Sequence, residues 1–436
     1  MDASHLAPLL TPEGWALLAD LPPYDESTAL SVGQTLRAQG HSPALVSAAL
    51  TQQRLRGRAE AKFGPFTSQM LFTPDGLEQA TRLAVSAHHA ARYARAGVRR
   101  VADLGCGIGG DAMALAGLGL KVLAVERDEA TAALATVNLM AFPEAEVLCA
   151  DALELDLAAR GVDAVFADPA RRADGRRVSD PEQWSPALGR VLALREDVEA
   201  LGVKVAPGTD HAALPADAHV QWVSVGGDVV EAGIWCGPLA GEGPGRSALV
   251  LPADGGPQGG DLQGGPAART LRDPDCDDPS TPPVQLAPLA EVGDLRTYIH
   301  EPDGAAIRAG LVAHLAQRLD AAPVGERIAY LSGDRLPDAA LAPFVRSWRV
   351  REALPLNLKT LRARVREHGI GSLEIHKRGL PVSPDTVRAA VRPTGEAHET
   401  WVMTRLGPRE DRTRGVVVVV EPCPEEAPAE DPAPAS

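Results

Sequence analysis

The sequence predicts an α/β protein with a helical segment ahead of its first sheet and a second, smaller α/β region behind it. Three observations carry that expectation. Residues 101–111, VADLGCGIGGD, read as an apolar strand, a glycine-rich turn and the start of a helix. From there to residue 206, apolar strand patterns alternate with helical ones, as crossover-connected parallel strands require. A further alternation runs over residues 298–420, past a stretch crowded with Gly, Pro and Asp.

Residues 1–63 are expected to form a helical N-terminal domain. Apolar positions recur at helical spacing over residues 13–18, 28–36 and 44–55, with breaks at Leu21-Pro22-Pro23 and Gly40-His41-Ser42-Pro43. Ser42 can cap the third helix, and Pro43 suits its first position. The end of that helix carries Arg54, Arg56, Arg58 and Lys62, either an exposed face or a nucleic-acid contact. Residues 64–81 follow, with Thr73-Pro74 as a helix start, and a long helix ends near Arg95.

The central domain is expected over residues 64–251. Gly105, Gly107, Gly109 and Gly110 let the chain turn sharply and approach a ligand, and the helix behind them offers unpaired N–H groups. Gly105, Gly107 and Gly110 also fit a dinucleotide fingerprint. Asp103 decides between the ligands: two residues before the first glycine it would sit where a pyrophosphate belongs, yet it can pair with the ammonium of an amino-acid ligand. S-adenosylmethionine carries that ammonium and no phosphate. The strand over residues 121–125 ends at Glu126, placed to accept both ribose hydroxyls, and the strand over 146–149 leads to Asp151 and Ala152, placed to hold the adenine amine.

The strand over residues 162–167 ends in Asp168-Pro169-Ala170-Arg171-Arg172. Here the chain resembles class I methyltransferases that modify exocyclic amines of purines or related planar nitrogens, whose signature is an acid or Asn, two prolines and an aromatic. An aromatic amine is a poor nucleophile because its lone pair is delocalised. A carboxylate and an adjacent carbonyl that accept its two N–H bonds favour an sp³-like nitrogen, and transfer then needs alignment more than a strong base. Asp168 and Pro169 are the catalytic candidates, with Ala170 in place of the second proline and Arg171 in place of the aromatic. Arg171, Arg172 and Trp184 are the substrate candidates, with Arg176 and Arg177 in the same polar loop. A surface arginine pair and a Trp184 packed on the sheet are the plainer alternatives. In amine methyltransferases such as trimethylguanosine synthase, a Thr-Pro-acid segment ahead of the glycine loop closes over the cofactor. Phe72, Thr73, Pro74 and Asp75 resemble it, which implies a cofactor contact from Thr73.

Strands over residues 202–206, 220–225 and 229–235 complete the sheet, the last two joined by Gly226-Gly227-Asp228, a hairpin signal. Residues 246–251 add one more. A reversed hairpin on a parallel sheet suits a methyltransferase domain, and a dinucleotide fold lacks it. Residues 252–290 read as a flexible linker. Beyond it, residues 301–319 predict an amphipathic helix, 327–331 a strand, 356–368 a helix, 372–376 a strand, 384–391 a helix, and 399–403 and 416–420 the closing strands. Residues 421–436 hold five acids and no base and read as an acidic disordered tail.

The run LNLKTLRARVREHGIGSLEIHKRG resembles the THUMP-like domain that follows the catalytic domain in a bacterial family of class I methyltransferases. KFG, FTPDGLEQAT, DLGCGIGGDA, ADPARR and EIHKRG occur in the order that family shows. The resemblance implies a Rossmann-like class I methyltransferase domain with an N-terminal helical bundle and a THUMP-like domain over residues 291–420. THUMP domains bind RNA, and a THUMP-like domain inherits that role by analogy.

Composition bounds these expectations. A net charge of −15 argues against a nucleic-acid partner for the chain as a whole. Residues 344–392 invert the balance, with 11 Lys or Arg against four acids, either a solvated face or a phosphate-binding one. Cys106, Cys149, Cys236, Cys276 and Cys423 lack paired ligand spacing, so no metal and no disulfide frame is expected. No stretch approaches the roughly 18 apolar residues of a membrane span, and MDASHLAPLL lacks the features of a signal peptide. A cytoplasmic S-adenosylmethionine-dependent methyltransferase acting on a nitrogen of an RNA base is expected. A small-molecule methyltransferase and a non-catalytic RNA-binding protein are the alternatives.

Overall fold

The structure, a computed structural model, describes residues 3–173, 176–253, 268–408 and 415–423. The chain divides into two compact units, residues 1–246 with 251–268 and 274–281, and residues 247–250 with 269–273 and 282–436.

In the first unit, helices α1 (Pro12–Asp20), α2 (Ala29–Ala38) and α3 (Pro43–Phe63) come first. Thr11 and Ser42 cap α1 and α3 by accepting from the Gly14 and Leu45 N–H groups, each with Pro in the first turn. Helices α4 (Pro74–Gln79) and α5 (Leu83–Arg95) precede β1 (Arg100–Leu104), and α6 (Gly110–Gly117), β2 (Lys121–Glu126), α7 (Glu129–Asn138), β3 (Ala145–Cys149) and β4 (Ala164–Ala167) follow. A two-residue ribbon, β5 (Arg172–Ala173) with β6 (Arg176–Arg177), and α8 (Leu188–Leu192) lead to β7 (Ala200–Val205), β8 (His219–Val225) and β9 (Asp228–Cys236).

These strands lie in the order β8-β9-β7-β4-β1-β2-β3. They run parallel from β7 to β3, and β9 lies antiparallel between β7 and β8. Gly226 and Gly227, both at positive φ, close the β8–β9 hairpin as a two-residue turn of the primed type. Strand β1 has β2 on one side and β4 on the other, so the winding reverses there and a crevice opens at the strands' C-terminal ends. Buried Leu9, Leu55 and Phe63 share one core with Val101, Ala124, Phe166 and Trp235 of the sheet. The helices of the first 63 residues thus share a core with the sheet and its helices.

The second unit contains β12 (Tyr298–Pro302), α9 (Gly304–Arg308), α10 (Val312–Leu319), β13 (Ala321–Pro323), β14 (Leu331–Gly333), β15 (Val345–Pro355), α11 (Leu358–Glu367), β16 (Ile370–Lys377), α12 (Pro384–Val391), β17 (Ala397–Thr404) and β18 (Val416–Pro422), after β10 (Gly245–Leu251) and β11 (Arg269–Arg272). Its sheet has the order β13-β14-β12-β15-β18-β17-β16, and β16 with β17, connected through α12, form its parallel pair. Val417 and Val419 of β18 pack with Leu361, Val387 and Trp401, while Val418 and Val420 pack with Ile299, Tyr330 and Trp348. The five-valine run is thus buried on both faces, as alternating side chains demand.

Four sequence expectations need correction. Residues 269–272 of the expected linker form β11, paired with residues 247–250, while 254–267 lie outside the described residues. The helix expected over 301–319 is the end of a strand and two helices: Asp303 caps α9 and Gly310, at φ 73°, ends it. Strand β15 was not foreseen, because VRSWRVREALP alternates around charged residues on a half-exposed strand. Glu421 and Pro422 belong to β18; residues 424–436 lie outside the described residues.

Candidate functional site

Three glycines of the loop after β1 adopt left-handed conformations, Gly105 at φ 82°, Gly107 at 55° and Gly109 at 87°, where a side chain would strain the backbone. The loop is pinned by the Gly105 and Cys106 N–H groups, both donating to Val125 O. A Cβ on Gly105 would stand 3.5 Å from the Asp168 carbonyl oxygen, and one on Gly109 3.2 Å from Leu139, while Gly107 faces open space. At the end of β2, Glu126 accepts from the Gly107 N–H at 3.2 Å and the Asp128 N–H at 2.9 Å, which brings its carboxylate to the loop. Asp151 is exposed and caps the turn Ala152–Glu154 by accepting from the Leu153 N–H. Asp103, Gly105, Gly107, Gly109, Glu126 and the Asp151-Ala152 pair thus lie at or just after the C-terminal ends of three adjacent strands.

Asp103 is 1% exposed and its Oδ2 has no hydrogen-bond partner among the described residues. Burial, with the charges of Asp111 and Asp168 nearby, pushes its carboxyl well above the usual range. Such an orphaned buried oxygen calls for a cation. The ammonium of S-adenosylmethionine meets that need, so the residues present fit the cofactor.

Behind the loop lies an ionic network absent from the sequence reading. His89 of α5 reaches Asp111 of α6 at 3.2 Å through Nδ1 and Glu231 of β9 at 2.7 Å through Nε2. Burial alone would push His89 down, but the charge of Glu231 and the bonds to both carboxylates raise it to about 9. Asp111, which burial would raise, is held at about 2 by the bond and charge of His89. With carboxylates on both ring nitrogens, His89 is an imidazolium donating twice. Lys204 of β7 donates to Asp168 Oδ2 at 2.6 Å and to Thr81 Oγ1 at 2.8 Å, and despite its burial the nearby charge of Asp168 raises it above the ordinary lysine range. A lysine flanked by valines in an otherwise buried strand was the one signal the sequence offered. His89 and Glu231 offered none, since 142 residues separate them.

Asp168 directly follows β4 with its side chain 26% exposed, and its Oδ1 carries no hydrogen bond among the described residues. Pro169 is buried, Ala170 exposed and Arg171 half-buried. Ala170 exchanges backbone hydrogen bonds with Ser185 at 2.8 and 3.0 Å, which closes the polar loop at its base. Trp184 is 4% exposed and donates to Val178 O at 3.0 Å, the packed position of the plainer alternative. The side chains of Arg172, Arg176 and Arg177 lie outside the described part of the structure.

Thr73 caps α4 through the Gly76 N–H, and Gly76 lies against Ile108 of the glycine loop so closely that a Cβ there would fall 2.5 Å from Ile108 Cγ2. The segment is clamped as well as close. Gln52 exchanges two hydrogen bonds with the Phe72 backbone, Asn138 does the same with Leu71, and Arg56 donates to Met70 O. The strap is thus held at three successive residues, 70–72, just ahead of Thr73.

In the second unit, several of the basic residues are neutralised. Arg364 donates to Glu399 and Glu352, Arg378 to Glu301, and Arg346 to Glu374. Exposed Arg362 and Arg366 bond only backbone carbonyls, and exposed Arg349, Lys359, Lys377 and Arg392 have no acidic partner among the described residues. Among those residues no group of three or more His, Cys, Asp or Glu is placed to hold a metal, and no helix is long and apolar enough to cross a membrane.

Residues 101–182 match the family described as a methyltransferase domain, residues 345–422 the THUMP-domain-like family, and residues 2–59 a family described as a domain of unknown function. Proteins of Mycobacterium tuberculosis strains CDC 1551 / Oshkosh and ATCC 25618 / H37Rv, each described as an uncharacterized S-adenosylmethionine-dependent methyltransferase, are 34% identical over 362 residues, 81% of this chain and 91% of theirs. A crystal structure of a Porphyromonas gingivalis W83 protein agrees in fold with TM-score 0.66 at 18% identity, covering 92% of this chain and 100% of that one. The chain belongs to the S-adenosylmethionine-dependent methyltransferases, with a THUMP-like domain in its C-terminal part.

Proposed function

We propose that this methyltransferase acts on RNA, moving a methyl group to an exocyclic or ring nitrogen of a base. The observation that carries the reading is Asp168, an ion-paired carboxylate just after β4 with one oxygen bound to Lys204 and the other without a hydrogen bond among the described residues. An acceptor N–H finds there a fixed oxygen, and the Asp168 carbonyl lies beside Gly105. S-adenosylmethionine supplies the methyl group on an electrophilic sulfonium. Asp103 would hold its ammonium, Glu126 its ribose hydroxyls, and Asp151 with Ala152 its adenine, while Gly105, Gly107 and Gly109 admit it closely and Thr73 lies in the strap beside them. Asp168 accepts the N–H bonds of the acceptor, turns its lone pair toward the methyl group and receives the proton released on transfer; buried Pro169 fixes the backbone that follows. Alignment of this kind accounts for large rate factors without a strong base. Arg171 would meet the base or its phosphate.

The RNA half of the proposal is supported by the THUMP-like match and by Lys359, Arg362, Arg366 and Lys377, exposed cations free of acidic partners among the described residues. Methyl-labelled cofactor is incubated with total RNA from a strain lacking the protein, and the nucleosides are analysed. A labelled, nitrogen-methylated base is expected. Asp168→Ala should abolish transfer while leaving affinity for S-adenosylhomocysteine, measured by calorimetry, nearly unchanged. Label found only in small metabolites would replace RNA as the substrate class, and normal turnover by the variant would reduce Asp168 to a strand end.

A further inference from the structure

Lys204 lies within a strand buried along its whole length, and its side chain is 6% exposed. Taking an ammonium out of water is costly unless it is fully paired. Its hydrogen-bond partners among the described residues are Asp168 Oδ2 and Thr81 Oγ1. Thr81 is itself buried and follows directly on a turn whose carbonyls at Leu77, Glu78 and Ala80 accept from Lys62 Nζ at 2.8, 2.9 and 2.8 Å. One chain of contacts therefore runs from the end of α3 through residues 77–81 to Lys204 and Asp168.

The residue types fit that chain. The sequence has five lysines against 38 arginines, and two of the five stand here. An ammonium sends three donors from one atom to three converging carbonyls, and it fits between a hydroxyl and a carboxylate in a packed strand. A planar guanidinium does neither. The Asp168 side chain, a quarter exposed, would otherwise exchange rotamers at the mouth of the crevice.

We propose that Lys204 is a positioning residue for methyl transfer: anchored by Thr81, its ammonium fixes Oδ2 of Asp168 and so aims Oδ1 at the acceptor nitrogen. Lys62 sets the turn that carries Thr81, which gives the N-terminal helical region a part in catalysis. The proposal rests on the reading of Asp168 as the acceptor's partner. A counter-ion that merely stabilised the fold would, when removed, lower the melting temperature and leave the turnover of folded molecules unchanged.

Full-length Lys204→Met and Lys204→Ala are compared with the wild type, with S-adenosylhomocysteine binding confirming that the crevice is intact. Crystal structures with that product bound should show the Asp168 carboxylate displaced or spread over several rotamers in Lys204→Met. An unmoved carboxylate overturns the proposal whatever the acceptor is. With total RNA from a strain lacking the protein, kcat should fall about a hundredfold, the scale of a misplaced reacting group, with KM for RNA little changed. Propylamine should restore part of the rate to Lys204→Ala, and propanol should not. Unchanged kcat, or a loss that propylamine leaves untouched, overturns it. If Lys204→Met fails to fold, Thr81→Val removes the anchor alone and should lower kcat by a smaller factor, and an unchanged rate there overturns the proposal. Should the wild type transfer no label to RNA, the RNA assignment fails, and the position of Asp168 in the variant still decides the role of Lys204.

Discussion

Asp103 sets the balance of the site at the scale of one residue. A buried carboxylate with an unbonded oxygen costs more than any single good hydrogen bond returns, and neighbouring acids raise that cost further. A bound ammonium removes it. Asp103→Asn keeps the shape and deletes the charge, so affinity for S-adenosylmethionine should drop at least about tenfold, ~1.4 kcal/mol, by calorimetry, and NAD should bind neither form. Because the carboxyl titrates above its ordinary range in the free protein, it must lose its proton to receive a cation. Cofactor affinity should therefore weaken toward acid pH in the wild type, and the Asp103 contribution to that slope should be absent from Asp103→Asn. An identical pH dependence in both would remove Asp103 from the ammonium site.

Elements are joined where charges cross between them. His89 ties α5 to the first turn of α6 and to β9, with its ring 5.2 Å from Phe166 and 5.4 Å from Trp235, so the helix behind the glycine loop is held by an ion pair inside the core. The sign of the pH effect follows from the folded pKa. His89 is raised to about 9, so its contribution is complete below its unfolded value of about 6.5 and disappears as pH climbs through about 9. Asp111, depressed to about 2, contributes above about 4 and loses its share as pH falls toward 2. Chemical denaturation from pH 6 to 10 should show wild-type stability declining across the alkaline half. His89→Gln should be less stable by about 3–5 kcal/mol near pH 7, the cost of stranding buried carboxylates, and should decline less. Parallel curves for the two proteins would argue against a charged His89.

For the whole molecule, the shared core makes the N-terminal helices part of the methyltransferase unit. Deleting residues 1–63 would uncover Phe72 and Gly110, which Phe63 faces, and would remove Gln52, Arg56 and Lys62 from the strap they hold. The truncated chain should be insoluble or bind the hydrophobic dye ANS; a soluble, cofactor-binding product would restore an independent domain. In the second unit, Arg362 and Arg366 lie one turn apart on α11, while Arg364 between them is consumed by Glu352 and Glu399. Replacing Arg362 and Arg366 by Gln in the full chain should weaken RNA binding uniformly across sequences and flatten its salt dependence by up to about two phosphate contacts. An unaltered salt slope would return both to a solvated face.

Local signals by themselves determined the glycine loop, the acids at three strand ends, the hairpin of β8 and β9 and the helix starts at Ser42 and Thr73. Each is written in a few adjacent residues, because glycine torsions, caps and two-residue turns are decided by neighbours in the chain. The sequence also showed Asp168 and could not show what holds it. Thr81, Lys204, His89 and Glu231 come from elements far apart in the chain, and they acquire meaning only when packing removes water and brings specific polar partners together. The same desolvation put Trp184 beneath its loop, took Arg364 out of the basic face and turned part of an apparent linker into β11. Periodicity shows which side chains are buried; only the tertiary structure decides which buried polar groups meet.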